Sequence, residues 1–209
     1  NYGEKMNFPK FLKGDLMKYL LALLAFLALP AFAEISGSAT ISDDYHFRGI
    51  SQNAGDPALS AEVTANLGSL FGSIWASQIN GFDTEYDLTV GMKKNFGKLS
   101  VTVAYVDYNY ANFDELFEES LADVEEVMFS ASYGAFGVSH FLGLDEAADY
   151  TSISYSGVVD ASFGRHEDAH DWHIGKTVDV NGFDVSFGYK MYKGDFEEKG
   201  PTLSVSKSF

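Results

Sequence analysis

The run His166-Glu167-Asp168-Ala169-His170 has the H-E-x-x-H spacing that, on a helix, sets two imidazoles on one face for zinc and a carboxylate beside them as base. The flanking segments, residues 159–165 and 172–178, alternate like strands and leave no room for that helix. His173 is the nearest third ligand. The motif therefore reads as a polar loop, and no metal site is expected beyond an adventitious ion on His166, His170 and His173. Nucleophilic chemistry fares no better. Ser139 adjoins His140, but consecutive residues of a strand face opposite ways, and no base with an orienting third group stands out for any other nucleophile. No enzymatic activity and no cofactor are expected. The remaining chemistry is charge. Glu62, Asp87, Glu126, Asp160 and Asp184, with Lys190, fall on the polar face of alternating segments, beside Thr64, Asn66, Ser130 and Ser204. Around a water-filled space, such a face biases which ions pass.

Those side chains belong to a chain of 209 residues with 30 acidic and 14 basic groups, a net charge of -16. Phosphate contacts need clustered Lys and Arg, so nucleic acid is excluded as a partner. The absence of Cys excludes a disulfide scaffold and thiolate-bound metals. With 46% hydrophobic and 15% aromatic residues, the chain is too apolar for acidic disorder.

The start of the chain reads as an address. Lys18 precedes an apolar run over residues 19–29, Pro30 breaks it, and Ala31-Phe32-Ala33 supplies small residues at a cleavage site. Eleven apolar residues are too few for a membrane-spanning helix, which needs about 20. Residues 17–33 are read as a signal peptide and residues 1–16 as an upstream extension or a longer charged start. Residues 34–209 are then the exported, mature domain, with 10 basic against 28 acidic groups.

From residue 34 onward the period is two. Leu99, Val101, Val103 and Tyr105 alternate with Ser100, Thr102 and Ala104; Phe183, Val185, Phe187 and Tyr189 alternate with Asp184, Ser186 and Gly188. The same pattern over residues 38–47, 59–67, 73–78, 86–92, 127–133, 136–142, 150–155, 159–165, 172–178 and 202–209 brings the number of strands to twelve. Trp75 and His140 lie where the register admits either facing. Connections alternate between short Gly-bearing turns (68–72, 95–98, 134–137, 156–158, 179–182) and longer acidic loops (48–57, 108–123, 144–149, 166–171, 193–199). Aromatics gather near both strand ends: Tyr45, Phe47, Tyr86, Tyr105, Tyr150, Trp172 and Tyr192 on the loop side, Phe71, Phe96, Phe136, Phe183 and Phe209 on the turn side. Short turns, long loops and two aromatic belts describe an all-β antiparallel transmembrane β-barrel of about twelve strands, an up-and-down meander. An even strand number puts both termini on the periplasmic side. In the longest loop Phe113, Leu116, Phe117 and Leu121 recur at helical spacing, with Asn112 or Asp114 as cap.

Two stretches carry a family likeness. Ser42-Asp43-Asp44-Tyr45-His46-Phe47-Arg48-Gly49-Ile50-Ser51-Gln52 resembles the S-D-Y-x-[FW]-R-G-[IV]-S-Q segment near the mature start of the TorF-type porin family, and Phe71-Gly72-Ser73-Ile74-Trp75 resembles the Gly-aromatic hairpin that follows it there. The terminal Phe209 on an alternating strand resembles the signal read by the outer-membrane barrel-assembly machinery. The resemblance implies a small barrel in the outer membrane of a Gram-negative bacterium, in contact with lipid and lipopolysaccharide and passing small solutes. Asp44, Tyr45, Arg48, Gly49, Ser51 and Gln52 are the residues it marks, at the rim, with Arg48 expected to pair with Asp43 and Asp44. The leading expectation is a passive channel for small hydrophilic solutes, cation-preferring through its acids. A closed barrel with a structural, adhesive or receptor role through acidic loops is the alternative, and a lipid-modifying barrel enzyme a more distant one.

Overall fold

The computed structural model describes residues 33–79, 83–112, 124–144 and 147–209. The signal segment and most of the loop with helical spacing lie outside them. The strands are β1 (Glu34–Ser42), β2 (His46–Phe47), β3 (Ile50–Ser51), β4 (Ala58–Leu67), β5 (Leu70–Ile79), β6 (Asp83–Phe96) and β7 (Leu99–Asn112). They continue with β8 (Val124–Tyr133), β9 (Phe136–Gly143), β10 (Tyr150–Ser156), β11 (Asp160–His166), β12 (Ala169–Val180), β13 (Phe183–Lys193) and β14 (Glu197–Ser208). Twelve of them close into one antiparallel meander barrel, and β2 and β3 form a separate two-stranded ribbon. Closure joins the two ends of the chain: Gly37 and Phe209 exchange backbone hydrogen bonds of 2.9 Å, and β1 pairs with β14 from Ser38↔Ser208 to Ser42↔Ser204. Both ends of the barrel domain therefore lie at one rim, the rim of the short turns.

The alternation decides what faces where. Val90, Met92, Val103, Phe129, Ile153 and Phe187 are exposed although large and apolar, whereas their polar neighbours in sequence turn inward. A protein in water buries such residues; a barrel in lipid displays them. Closure also pairs every strand on both sides, which the bilayer demands of any spanning backbone. At the turn rim Phe96, Phe136, Phe183 and Phe209 stand exposed, a belt as expected, but Phe71 faces inward, opposite Gly91. Lys207, next to that belt, donates from Nζ to the Gly182 carbonyl at 2.7 Å and lies 5.1 Å from the Phe183 ring centroid, so its ammonium reaches the rim along an apolar stem.

Two sequence expectations change. The connections at the other rim are not uniformly long: β11 and β12 are joined by Glu167-Asp168 alone, with Glu167 at φ 41°, and β13 and β14 by residues 194–196. The strands there extend further than the apolar alternation reaches, β6 and β7 to 14 residues each. The loop-side aromatics also divide. Tyr86 and Trp172 face outward, while Tyr150 and Tyr192 turn into the interior, as do Tyr45 and Phe47 from the first loop. Polar strand ends continue the ladder because a closed barrel pairs their backbone whatever their side chains.

Candidate functional site

The first loop does not rise from the rim; it folds into the barrel. Asp43 leaves β1 still bonded to β14, its N–H to the Leu203 carbonyl (2.9 Å) and its carboxylate accepting from the Leu203 N–H (3.0 Å). Then β2 and β3 form a hairpin whose two-residue turn is Arg48-Gly49, at φ 49° and 84°. Positive φ at both central residues is the type I′ arrangement that matches strand twist. Glycine is required at position 49 twice over. A Cβ there would lie 2.7 Å from the Asp171 Cβ, so the tip presses against β12. Gly49→Ala is expected to lower stability by about 1–3 kcal/mol through backbone strain and this clash, read as a drop in the urea midpoint of the refolded barrel.

Side chains of the loop reach walls all round the barrel, which only an interior segment can do. The Tyr45 ring packs on Trp75 of β5 with centroids 5.0 Å apart, and its hydroxyl donates to Glu85 of β6 at 3.3 Å. Phe47 meets Tyr108 of β7 edge-on at 5.5 Å. The Arg48 guanidinium donates to Glu126 Oε2 of β8 at 2.5 Å, and Tyr108 donates to the same oxygen at 3.0 Å. Its Cζ sits 4.6 Å from the Phe47 centroid, 5.0 Å from that of Phe141 on β9 and 4.3 Å from that of Tyr150 on β10. Planar, weakly hydrated guanidinium suits this combination of a carboxylate and three ring faces. On the far wall the Ser51 N–H donates to Glu198 of β14 at 3.2 Å, and Lys190 of β13 donates to Glu198 at 2.5 Å.

The sequence expectation for Arg48 is corrected here. Its partner is Glu126, 78 residues on, not Asp43 or Asp44; Asp44 instead lies 2.8 Å from the His46 ring. Burial and the Lys190 ammonium hold the His46 imidazole below its usual pKa, so near neutral pH it meets Asp44 as a neutral hydrogen-bond partner. Gln52 closes the ribbon, its N–H bonding the Tyr45 carbonyl at 2.8 Å, and Asn53 turns the chain back by donating to the carbonyls of Asp56 (2.8 Å) and Pro57 (2.9 Å).

Space remains beneath and beside the hairpin. A cavity of about 350 Å³ has Asp44, Tyr45 and His46 in its walls together with Thr40, Ser60 and Ser204 from the strands. A second, of about 280 Å³, flanks the tip at Arg48, Gly49, Asp171 and Lys190. Both are bounded by His46, His173 and Thr202. The polar residues singled out from alternation are thus not equivalent. Asp160 lines the larger cavity and Lys190 the smaller. Glu126 is only 1% exposed and is closed off by Arg48; Asp184 is exposed near the turn rim; Glu62 pairs across the ladder with Trp75, as Asp87 does from the other side. Trp75 therefore faces inward. His140 pairs with Thr151 on the opposite, outer face, its Nδ1 2.9 Å from the Thr151 hydroxyl. Pairing of His166 with Ala169 and of His170 with Arg165 puts these two histidines on opposite faces, where they cannot share one ion. Sequence reasoning missed Glu85, Asp171, Tyr108 and Tyr150, which receive the hairpin. Glu85 and Tyr108 sit in phase with Asp87 and Ala104, and extending the alternation beyond the apolar run would have found them.

No family model matches the chain, and no curated protein matches it. Solved structures do. The KdgM porin superposes with a TM-score of 0.52 at 7% identity, over 85% of this chain and 99% of that one. A chain solved in a study of the in-meso crystallisation of membrane proteins gives 0.54 at 10% identity, over 83% of each. The outer membrane protein OpdK of Pseudomonas aeruginosa is also similar, at a TM-score of 0.40 and 12% identity over 84% of this chain and 66% of that one. At such identities the likeness is one of architecture alone, carried by the first two structures: the chain has the fold of a small, closed, twelve-stranded antiparallel barrel.

Proposed function

We propose that the protein is a porin-like channel of the bacterial outer membrane, of the TorF type that its first loop resembles, passing small hydrophilic solutes by diffusion around an internal hairpin. The observation that carries this reading is a closed barrel, apolar outside and polar inside, with cavities beside the hairpin that narrows it. The short-turn rim and both ends of the barrel domain face the periplasm, and the folded-in loop constricts the outer half. Cation preference follows from the acids that meet the water-filled space, Asp160 and Asp184 foremost, because Glu126 is neutralised by Arg48.

Single-channel recording of the refolded protein in a planar bilayer under a salt gradient tests this. Discrete conductance steps and a cation-selective reversal potential are expected, and Asp160→Asn/Asp184→Asn moves that potential toward zero. A folded, heat-modifiable barrel that conducts nothing overturns the channel. The hairpin filling the mouth favours one second reading, a closed barrel acting through its outer loops, and that reading predicts the silent outcome.

A further inference from the structure

One pair of acids inside the barrel has no cation to answer it. Glu85 and Asp87 stand two apart on β6, so both project from the same inner face, about 6.6–6.8 Å apart along the strand. Glu85 is 0% exposed. Its Oε1 accepts from Tyr45 (3.3 Å) and Tyr110 (3.4 Å), but its Oε2 is buried without a hydrogen-bond partner, and so is Asp87 Oδ1. Among the described residues neither carboxylate forms an ion pair; Arg48 is committed to Glu126 and Lys190 to Glu198. Two desolvated carboxylates with free oxygens side by side are costly unless something positive lies between them.

We propose that Glu85 and Asp87 bind a small divalent cation, of the hard, oxygen-seeking kind that calcium represents. Two negative charges match it, and carboxylate and phenol oxygens supply no soft donor that would favour a transition metal. Size argues against an organic ammonium, since neither cavity described above reaches Glu85 or Asp87. The ion would tie the Tyr45 end of the folded-in loop to β6 as Arg48 ties its tip to β8, and it requires the loop fold but not the channel activity. The other cluster of possible ligands, Asp44, His46 and Glu198, is a poorer host, because Lys190 already neutralises Glu198.

Trp75 provides a direct readout. It lies opposite Asp87 in the ladder and against the Tyr45 ring, close enough to sensitise terbium bound at the calcium site. Full chain refolded into detergent with terbium should emit under indole excitation, lose that emission to added calcium, and unfold at a higher temperature with calcium than with chelator. Glu85→Gln/Asp87→Asn should abolish both responses, Asp184→Asn at the far rim should leave both intact, and Trp75→Phe should dim the emission while preserving the calcium-dependent stabilisation. Equal emission and equal calcium response in the wild type and the double variant overturn the site. So does a wild type indifferent to calcium and terbium, even if the double variant fails to fold; a proton shared by the two carboxylates would then be the occupant.

Discussion

Replacing residues 44–52 with a short Gly-Ser turn will leave the barrel closed and raise its single-channel conductance several-fold. Closure does not use this segment: the seam runs through the β1–β14 ladder and the Gly37–Phe209 pair, and Asp43 keeps its bonds to Leu203. What the segment does occupy is the cross-section at the level of Glu85, Tyr108, Glu126, Tyr150 and Asp171. Barrels of about eight strands are filled by their own side chains, whereas 16–18 strands leave a water channel; at twelve, an added hairpin decides between those outcomes. Resistance in series is governed by the narrowest section, so removing the hairpin transfers control to the Ser- and Thr-lined part of the interior beside it. Selectivity should shift with conductance. Deletion strips Arg48 from Glu126 and Tyr45 from Glu85, exposing carboxylates that are now covered, so the reversal potential moves further toward that of a pure cation channel. Unchanged conductance in a folded deletion variant would place the constriction elsewhere.

How far the sequence reveals this depends on which physical signal each residue leaves. The barrel is legible because lipid imposes a two-residue period on every strand, and Val90-Gly91-Met92 or Phe187-Gly188-Tyr189 repeat it without exception. The strand ends are less so. Tyr108 and Tyr110 belong to the inner face of β7, but aromatics near strand ends are equally what a lipid-facing belt looks like, and alternation loses its contrast once both faces are polar or aromatic. The Arg48-Gly49 turn is visible as a turn. That it points inward is not, because the facing of a loop is set by partners distant in sequence: Glu126 comes 78 residues later and Tyr150 later still. Local charge therefore suggests Asp43 and Asp44 as partners for Arg48, and the tertiary fold overrides it. An Arg that follows Tyr45 and Phe47 and a Glu near the start of a later strand are the two halves of the buried anchor, but spacing alone does not connect them.

The anchor can be weighed by a double-mutant cycle, and the expected effects there are the largest of any single side chain. Glu126 is 1% exposed and Arg48 13%, so Arg48→Met leaves a carboxylate buried with, among the described residues, only the Tyr108 hydroxyl to stabilise it. Breaking one side of such a pair costs about 3–5 kcal/mol. Glu126→Gln alone should cost less, because the amide oxygen still accepts from Tyr108 and the guanidinium keeps three aromatic faces. The double variant Arg48→Met/Glu126→Gln should recover a large part of the loss, a coupling of roughly 1–3 kcal/mol in denaturant midpoints. Arg48→Lys will not rescue, since an ammonium is more strongly hydrated and offers no planar face to Phe141 and Tyr150. The same four proteins carry a second readout that a purely structural pair would not move. If the anchor holds the hairpin in the lumen, Arg48→Met will open transiently to the higher conductance of the deletion variant, with current flicker between the two levels, and the double variant will flicker less. Destabilisation equal in all strands with a single unaltered conductance level would show that the pair supports the wall and not the hairpin.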